Sequence, residues 1–261
     1  MRAGDAMWDA DQYERFRGER SRPFFDLLAR IPDQSYRSVV DLGCGTGDLT
    51  AALADHWPEA RVTGVDLSEA MLTPARTRAE AGRLDFLQAD LAIWRPEATA
   101  DLIVSNAAIQ WVKDHDALLR HLASYLGPKG VLSVQMPANF ESPSHQLLKK
   151  LSSGKRWAGK LKKCLRHDVV QPLERYVEIA WGLGLKVDAW ETVYQHVLPG
   201  PDAVLEWMKG TGLRPVMAAL KGAELEEFLA AYGEKLRAAY PETPAGTRFP
   251  FRRFFFVARK G

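Results

Sequence analysis

The chain has 261 residues, 46% of them hydrophobic, with 35 lysines and arginines against 33 aspartates and glutamates; this suits one sizeable globular domain with insertions better than two independent ones. A formal net charge of +2 gives no global pull toward nucleic acid or a membrane, and Cys44 and Cys164 without CxxC or histidine spacing support neither a disulfide framework nor a metal site. No apolar run approaches the ~20 residues of a membrane span, and Met1 to Asp11 is too polar for a secretory signal, so a cytoplasmic location is expected.

Residues 1–36 read as helical, with Tyr13, Phe16, Arg20 and Phe24 on related faces and Pro32-Asp33 closing the segment. The pattern then alternates. Strands are expected at Ser38 to Leu42, Arg61 to Asp66 and Leu84 to Asp90, separated by helices from Asp48 to His56 and from Ser68 to Ala81. Asp101 to Ser105 and Gly130 to Gln135 add two strands around a helix from Asp114 to Leu126. Such alternation implies right-handed βαβ units and a doubly wound, mostly parallel sheet covered on both faces. A basic helical stretch at 144–167 follows, then a helix near Leu173 to Gly182, a strand from Lys186 to His196, a helical insert at 202–240 and an apolar, β-prone run from Arg253 to Arg259. The expectation is a single domain spanning 1–261, with 1–36 as a helical lid and 138–175 and 200–248 as helical cap insertions over the sheet's carboxyl edge, where open α/β sheets bind ligands.

The most informative run is Val39-Val40-Asp41-Leu42-Gly43-Cys44-Gly45-Thr46-Gly47. An apolar strand that breaks into alternating glycines lets main chain lie directly against a ligand. A dinucleotide fingerprint would need a third small residue where Asp48 stands, so a pyrophosphate has no obvious seat. Asp66 follows Gly47 at close to the ~20 residues at which a carboxylate grips ribose hydroxyls in nucleotide-binding βαβ units. Asp90, one strand further, is placed to take an adenine amino group, with Met71 and Leu91 as apolar walls. Asp41 is placed to accept from an ammonium, and the helix from Asp48 to offer its amino end to a carboxylate. Each feature alone is equally a tight turn or a helix cap; three in order on successive strands favour S-adenosylmethionine as the ligand.

The Asp41 to Gly47 loop, Asp66, Asp90 and the Leu126-Gly127-Pro128-Lys129-Gly130 turn resemble the class I S-adenosylmethionine-dependent methyltransferases. A closer likeness lies in Glu19-Arg20-Ser21-Arg22-Pro23, Asn106-Ala107-Ala108-Ile109-Gln110-Trp111, Val134-Gln135-Met136-Pro137, Thr211-Gly212-Leu213-Arg214-Pro215 and Phe256-Val257-Ala258-Arg259. These resemble a branch that methylates a carboxylate of the small polycarboxylate trans-aconitate. The resemblance implies a seven-stranded sheet with an antiparallel last strand, a monomethyl ester product and S-adenosylhomocysteine. On this reading the cofactor site takes in Tyr13, Arg22, Asp41, Gly43, Cys44, Gly45, Asp66, Leu67, Met71, Ala89, Asp90, Leu91, Asn106 and Ala107.

A carboxylate is already ionised at neutral pH, so no general base and no catalytic side chain are expected. Arginines suit the spectator carboxylates: Arg20 and Arg22 from the leading helix, Arg214 in the cap, and Arg252 or Arg253 before the final strand. Gln135, Asn139, Tyr194 and His196 are candidate polar substrate contacts, and Trp111 and Trp207 candidate cavity walls. Lys149 to His167 holds six lysines and two arginines without an acid and reads as a solvated helical face, since no aromatic ladder interleaves the charges. Open alternatives are another small acid, a carrier-bound acyl carboxylate, RNA, and a non-catalytic S-adenosylmethionine-binding protein. No nucleic-acid or membrane partner is expected, and no pattern points to an oligomeric state.

Overall fold

A computed structural model of the chain describes residues 17–161 and 170–261. The first half alternates strand and helix: α1 (Arg17–Leu28), β1 (Ser38–Leu42), α2 (Asp48–His56), β2 (Arg61–Asp66), α3 (Glu69–Arg76), β3 (Leu84–Gln88), β4 (Ala100–Asn106), a 3-10 turn (Ile109–Trp111), α4 (His115–Ser124) and β5 (Leu126–Pro137). It continues with α5 (Pro143–Ser152), α6 (Ala158–Leu161), α7 (Leu173–Gly182), β6 (Lys186–Leu198), α8 (Ala203–Lys209), α9 (Arg214–Ala219), α10 (Gly222–Ala239), β7 (Glu242–Thr243) and β8 (Gly246–Arg259).

The main sheet runs β3-β2-β1-β4-β5-β8-β6, with the two-residue β7 paired to β8 off this path. The first five strands in that order are parallel, whereas β8 is antiparallel to both of its neighbours. β1 and β4 are apolar almost throughout, as strands covered on both faces must be. Val40, Leu42, Ile103, Leu132, Phe254 and Phe256 pack on one face with α4 and α7. Val39, Leu102, Val104, Phe255 and Val257 pack on the other with α1, α2 and α3.

β5 pairs with β8 only along Arg253 to Arg259, but β6 pairs with β8 from Thr247 onward. Val193–Leu198 and Thr247–Arg252 therefore continue as a two-stranded ribbon beyond the carboxyl end of β5. A third apolar core, including Leu148, Trp157, Trp207, Phe228, Tyr232, Phe249 and Phe251, gathers α5, α6 and α8 to α10 around that ribbon. α7 stands apart from this group, because Tyr176, Ile179 and Ala180 join the core under the sheet.

Several boundaries differ from the expected ones. α3 ends at Arg76, five residues short, with the amide-less Pro74 in its last turn. β5 begins at Leu126, because a register shift opposite Ala100 and Leu102 absorbs the Gly127 to Gly130 turn, where Lys129 has φ 59°. β8 begins at Gly246, since its first half needs only β6 as partner. The insert at 202–240 resolves into three helices. Of residues 1–36, the described helix is α1 alone; Tyr13 and Phe16 lie outside the described residues, as do Cys164 and the end of the basic stretch. No described helix is long and apolar enough to cross a membrane.

Candidate functional site

The turn after β1 is built from left-handed glycines: Gly43 at φ 82°, Gly45 at 56° and Gly47 at 79°, a region that costs side-chain-bearing residues about 1–2 kcal/mol. Space is as decisive as conformation at Gly43, where a Cβ would stand 2.1 Å from the Ala108 Cβ. The amides of Gly43 and Cys44 donate to the Val65 carbonyl at 2.7 and 3.1 Å, pinning the loop to β2. Asp66 finishes the job at the end of β2: its Oδ2 accepts from the Gly45 amide at 2.9 Å and its Oδ1 from the Ser68 amide at 2.8 Å. A carboxylate oxygen has lone pairs to spare beyond one such bond, so Asp66 can still accept from a ligand hydroxyl.

Asp41 is 3% exposed, and its Oδ2 accepts from the Thr50 hydroxyl at 2.6 Å. Burial pushes its pKa up to about 6; the Thr50 bond opposes the rise and the nearby Asp66 charge adds to it. Burial likewise pushes the Cys44 thiol up. Leu67 is exposed, while Met71 is buried with its Cε 3.4 Å from where a Gly45 Cβ would stand. Ala89 and Leu91 are half-buried, the Ala89 amide donating to the Asp66 carbonyl at 3.0 Å. Asp90 is exposed on the rim, its Oδ1 accepting from the Ala92 amide at 2.9 Å. These strand ends thus meet around one loop.

On the next two strands, Asn106 of β4 stands opposite Gln135 of β5. Ala107 takes φ 53° and donates its amide to the Gln135 carbonyl at 2.9 Å. The Gln135 side chain is fully buried, yet neither its Oε1 nor its Nε2 has a hydrogen-bond partner among the described residues; the same holds for Asn106 Oδ1 and Asn139 Nδ2. A buried unpaired polar group costs about 1–3 kcal/mol and calls for an explanation. Donors and acceptors waiting for a ligand are such an explanation.

The ribbon supplies the far wall. Strand alternation and the pairings Gln135 with Phe255, Arg253 with Thr192 and Tyr194 with Phe251 put Gln135, Arg253 and Tyr194 on one face of the sheet. Arg253 is 4% exposed, its guanidinium 4.7 Å from the Phe251 ring centroid. Arg252 is not brought to this face. It points to the opposite side, where it is exposed, ion-paired with Glu191 and stacked on Phe254. Tyr194 donates its hydroxyl to Asp26 of α1 at 2.6 Å, and burial, followed by that carboxylate, raises its pKa. Arg22 sits with its guanidinium 5.3 Å over the Tyr194 ring and its Nε 4.0 Å from Asp26. Asp26 was missed in the sequence, although its i,i+4 spacing from Arg22 is a readable signal.

His196 stacks on Trp207 with centroids 5.2 Å apart, and Trp207 is enclosed in the cap core. Arg214 opens α9 half-buried, and desolvation lowers its pKa. Trp111 closes the 3-10 turn and is 46% exposed. Arg20 lies on α1, with its side chain outside the described residues. Sequence reasoning also passed over His145 of α5, which burial holds neutral with a pKa of about 4; its Nδ1 is 3.3 Å from the Ser142 Oγ.

The model of a methyltransferase domain family matches residues 13–216. The trans-aconitate 2-methyltransferase of Streptomyces avermitilis is 48% identical over 100% of this chain and 99% of its own length. That of Streptomyces coelicolor is 49% identical over 100% of this chain and 89% of its own. The chain belongs to the trans-aconitate 2-methyltransferase family. Within this methyltransferase family the class I architecture is present in full, with seven strands and one of them antiparallel. A solved chain from the Haloferax volcanii complex of the Trm112 methyltransferase activator and a methyltransferase shares the fold, with TM-score 0.61 at 20% identity over 99% of this chain and 98% of that one.

Proposed function

We propose that the chain transfers the methyl group of S-adenosylmethionine to a carboxylate of trans-aconitate, giving a methyl ester and S-adenosylhomocysteine. The observation that carries this reading is the buried, unpartnered amide of Gln135, beside a glycine cradle and on the sheet face that also holds Arg253. The shared name of full-length relatives at 48% and 49% identity supports the choice of substrate.

The residues present fit the cofactor. At Gly45 a Cβ would meet only the Met71 Cε, at 3.4 Å, so main chain there stays open to a ligand, and Asn106 Oδ1 is a buried acceptor without a partner among the described residues. S-adenosylmethionine supplies an electrophilic methyl on a sulfonium when bound. The loop Gly43 to Gly47 offers main chain, Asp66 an acceptor for ribose hydroxyls, Asp41 a carboxylate for the ammonium, and Asp90 an acceptor for the adenine amino group. Met71, Leu67 and Leu91 form apolar walls, with Cys44, Ala89, Asn106 and Ala107 lining the same edge.

The attacked carboxylate is ionised at neutral pH, so the chain supplies alignment in place of a base, an effect that reaches ~7–11 kcal/mol at near-attack geometry. Sulfonium and carboxylate neutralise each other as the methyl moves. A cation on the attacked oxygen would thus stabilise the ground state more than the transition state, and the guanidinium groups serve the spectator carboxylates. Arg253 and Arg214 take this role, with Gln135 and Asn139 as neutral donors and Arg22 and Tyr194 at the α1 side. His196, Trp207 and Trp111 give the cavity its aromatic walls. This reading places the protein in the cytoplasm with a small polycarboxylate as partner.

Incubation with methyl-labelled cofactor and a panel of di- and tricarboxylates tests it: label should appear on trans-aconitate, and label appearing only on RNA or on a carrier protein overturns the substrate. Arg253→Ala and Arg214→Ala should each raise the KM for trans-aconitate about 10- to 100-fold through lost charged hydrogen bonds. Arg252→Ala, which breaks an exposed pair with Glu191, should leave KM unchanged; the reverse pattern would reassign the arginines.

A further inference from the structure

His115 opens α4 fully buried, outside the site just described. Its Nε2 lies 2.8 Å from the Ile109 carbonyl oxygen and its Nδ1 2.6 Å from the Tyr176 hydroxyl, and that hydroxyl accepts from the Gln171 amide at 3.0 Å. The chemistry of the two ends fixes every proton. A carbonyl only accepts, so His115 carries its hydrogen on Nε2 and donates; a main-chain amide only donates, so the Tyr176 oxygen accepts from Gln171. In neutral His115 the remaining Nδ1 is an acceptor, so the phenol donates to it. The three bonds therefore run one way, from Gln171 through Tyr176 and His115 to Ile109. A second proton, on Nδ1, would set donor against donor at 2.6 Å unless the phenol hydrogen left the contact.

Ile109 begins the 3-10 turn that ends at Trp111. Two residues upstream, the Ala107 amide is bonded to the Gln135 carbonyl, and Ala108 fills the space that a Cβ on Gly43 would need. The turn thus lies between the glycine loop and β5, and its carbonyl anchor is His115. At the other end Tyr176 is stacked on Phe256 of β8, with centroids 5.7 Å apart and rings 16° from parallel. The charged groups facing His115 are Asp114 and Asp116; Asp116 is in turn ion-paired with Arg175 of α7 and accepts from the Gln171 side chain at 3.4 Å.

We propose that Tyr176 and His115 are positioning residues for methyl transfer, a one-way hydrogen-bond relay that holds the 107–111 turn so that Asn106 and Trp111 meet cofactor and substrate. The proposal rests on the site reading above. His115→Gln keeps an N–H near Nε2 for the Ile109 carbonyl, whereas His115→Phe and Tyr176→Phe cut the relay.

In variants shown by circular dichroism to be folded at the assay temperature, His115→Phe and Tyr176→Phe should raise the KM for trans-aconitate and the Kd for S-adenosylhomocysteine about tenfold, the scale expected when a turn shifts beside a site. His115→Gln, which keeps the donor to Ile109 but leaves the Tyr176 hydroxyl without its acceptor, should fall between the wild type and His115→Phe in both. Lowered thermal midpoints with unchanged KM and Kd in the two cut variants would overturn the proposal and leave a purely structural network. A nitrogen-15 spectrum of the histidine-labelled wild-type chain needs no ligand. His115 should show a protonated Nε2 and a bare Nδ1 at about pH 7.5, above the ordinary histidine pKa, and the opposite tautomer would overturn the relay even in a chain that methylates no polycarboxylate.

Discussion

A methyl group at position 43 would have to share space with Ala108 while the backbone holds φ 82°. Gly43→Ala should therefore lower stability by about 2–4 kcal/mol, combining left-handed strain with overpacking against backbone-fixed neighbours, as read from the urea midpoint. Asp41 gives the site a pH dependence. With its pKa pushed from 3.8 to about 6, the folded chain keeps a proton that the unfolded chain has already lost, so this group's contribution to stability falls as pH rises from about 4 to about 6. A ligand ammonium at Asp41 favours the ionised form. S-adenosylhomocysteine should thus bind more tightly as pH rises through about 6, releasing a proton there. Calorimetry in buffers of different ionisation enthalpy should detect that proton, and Asp41→Asn should abolish both effects. At Asp66, replacement by Ala removes the acceptor for the Gly45 and Ser68 amides as well as the one proposed for the ligand; binding should weaken by ~1–3 kcal/mol, visible in the same titration.

Between elements, the contact that ties α1 to the ribbon is the Tyr194 to Asp26 hydrogen bond, with Arg22 over the tyrosine ring. Tyr194→Phe should cost about 1–2 kcal/mol for the lost bond to a charged group; faster amide exchange should appear in α1 and the ribbon before the sheet, and uniform acceleration would mean that α1 is held elsewhere. The bond spans 168 positions in sequence, which explains why periodicity could not show it. The glycine loop and Asp66 were legible because their chemistry is local: one strand, one turn, and the end of the next strand. That the first five strands are parallel followed from alternation for the same reason, whereas their order in the sheet did not. Asn106 facing Gln135, and Arg253 rather than Arg252 facing the site, depend on register between strands far apart in the chain, and a one-residue change of register exchanges the faces. The relay through His115 and Tyr176 was equally hidden, since α4 and α7 meet only because both pack on the same face of the sheet.

Over the whole molecule, two buried faces of one sheet and a separate apolar core around the ribbon give three packed units, joined by the strands that run through them. The ribbon is the only part of β6 and β8 that leaves the sheet, so the cap should move, if it moves, by flexing those two strands beyond Arg253. The position of β8 bears on how the chain is made. It fills the slot between β5 and β6, yet it is the last strand in chain order. During translation the β1 to β5 half can assemble as it emerges from the ribosome, while β6 and the cap helices wait beside an open mid-sheet gap for residues 246–259. A chain truncated after Ala245 and released from the ribosome should accordingly be cut by trypsin within β6 and the helices after it, with 38–137 protected. Any chaperone that attends this protein would meet it at that gap.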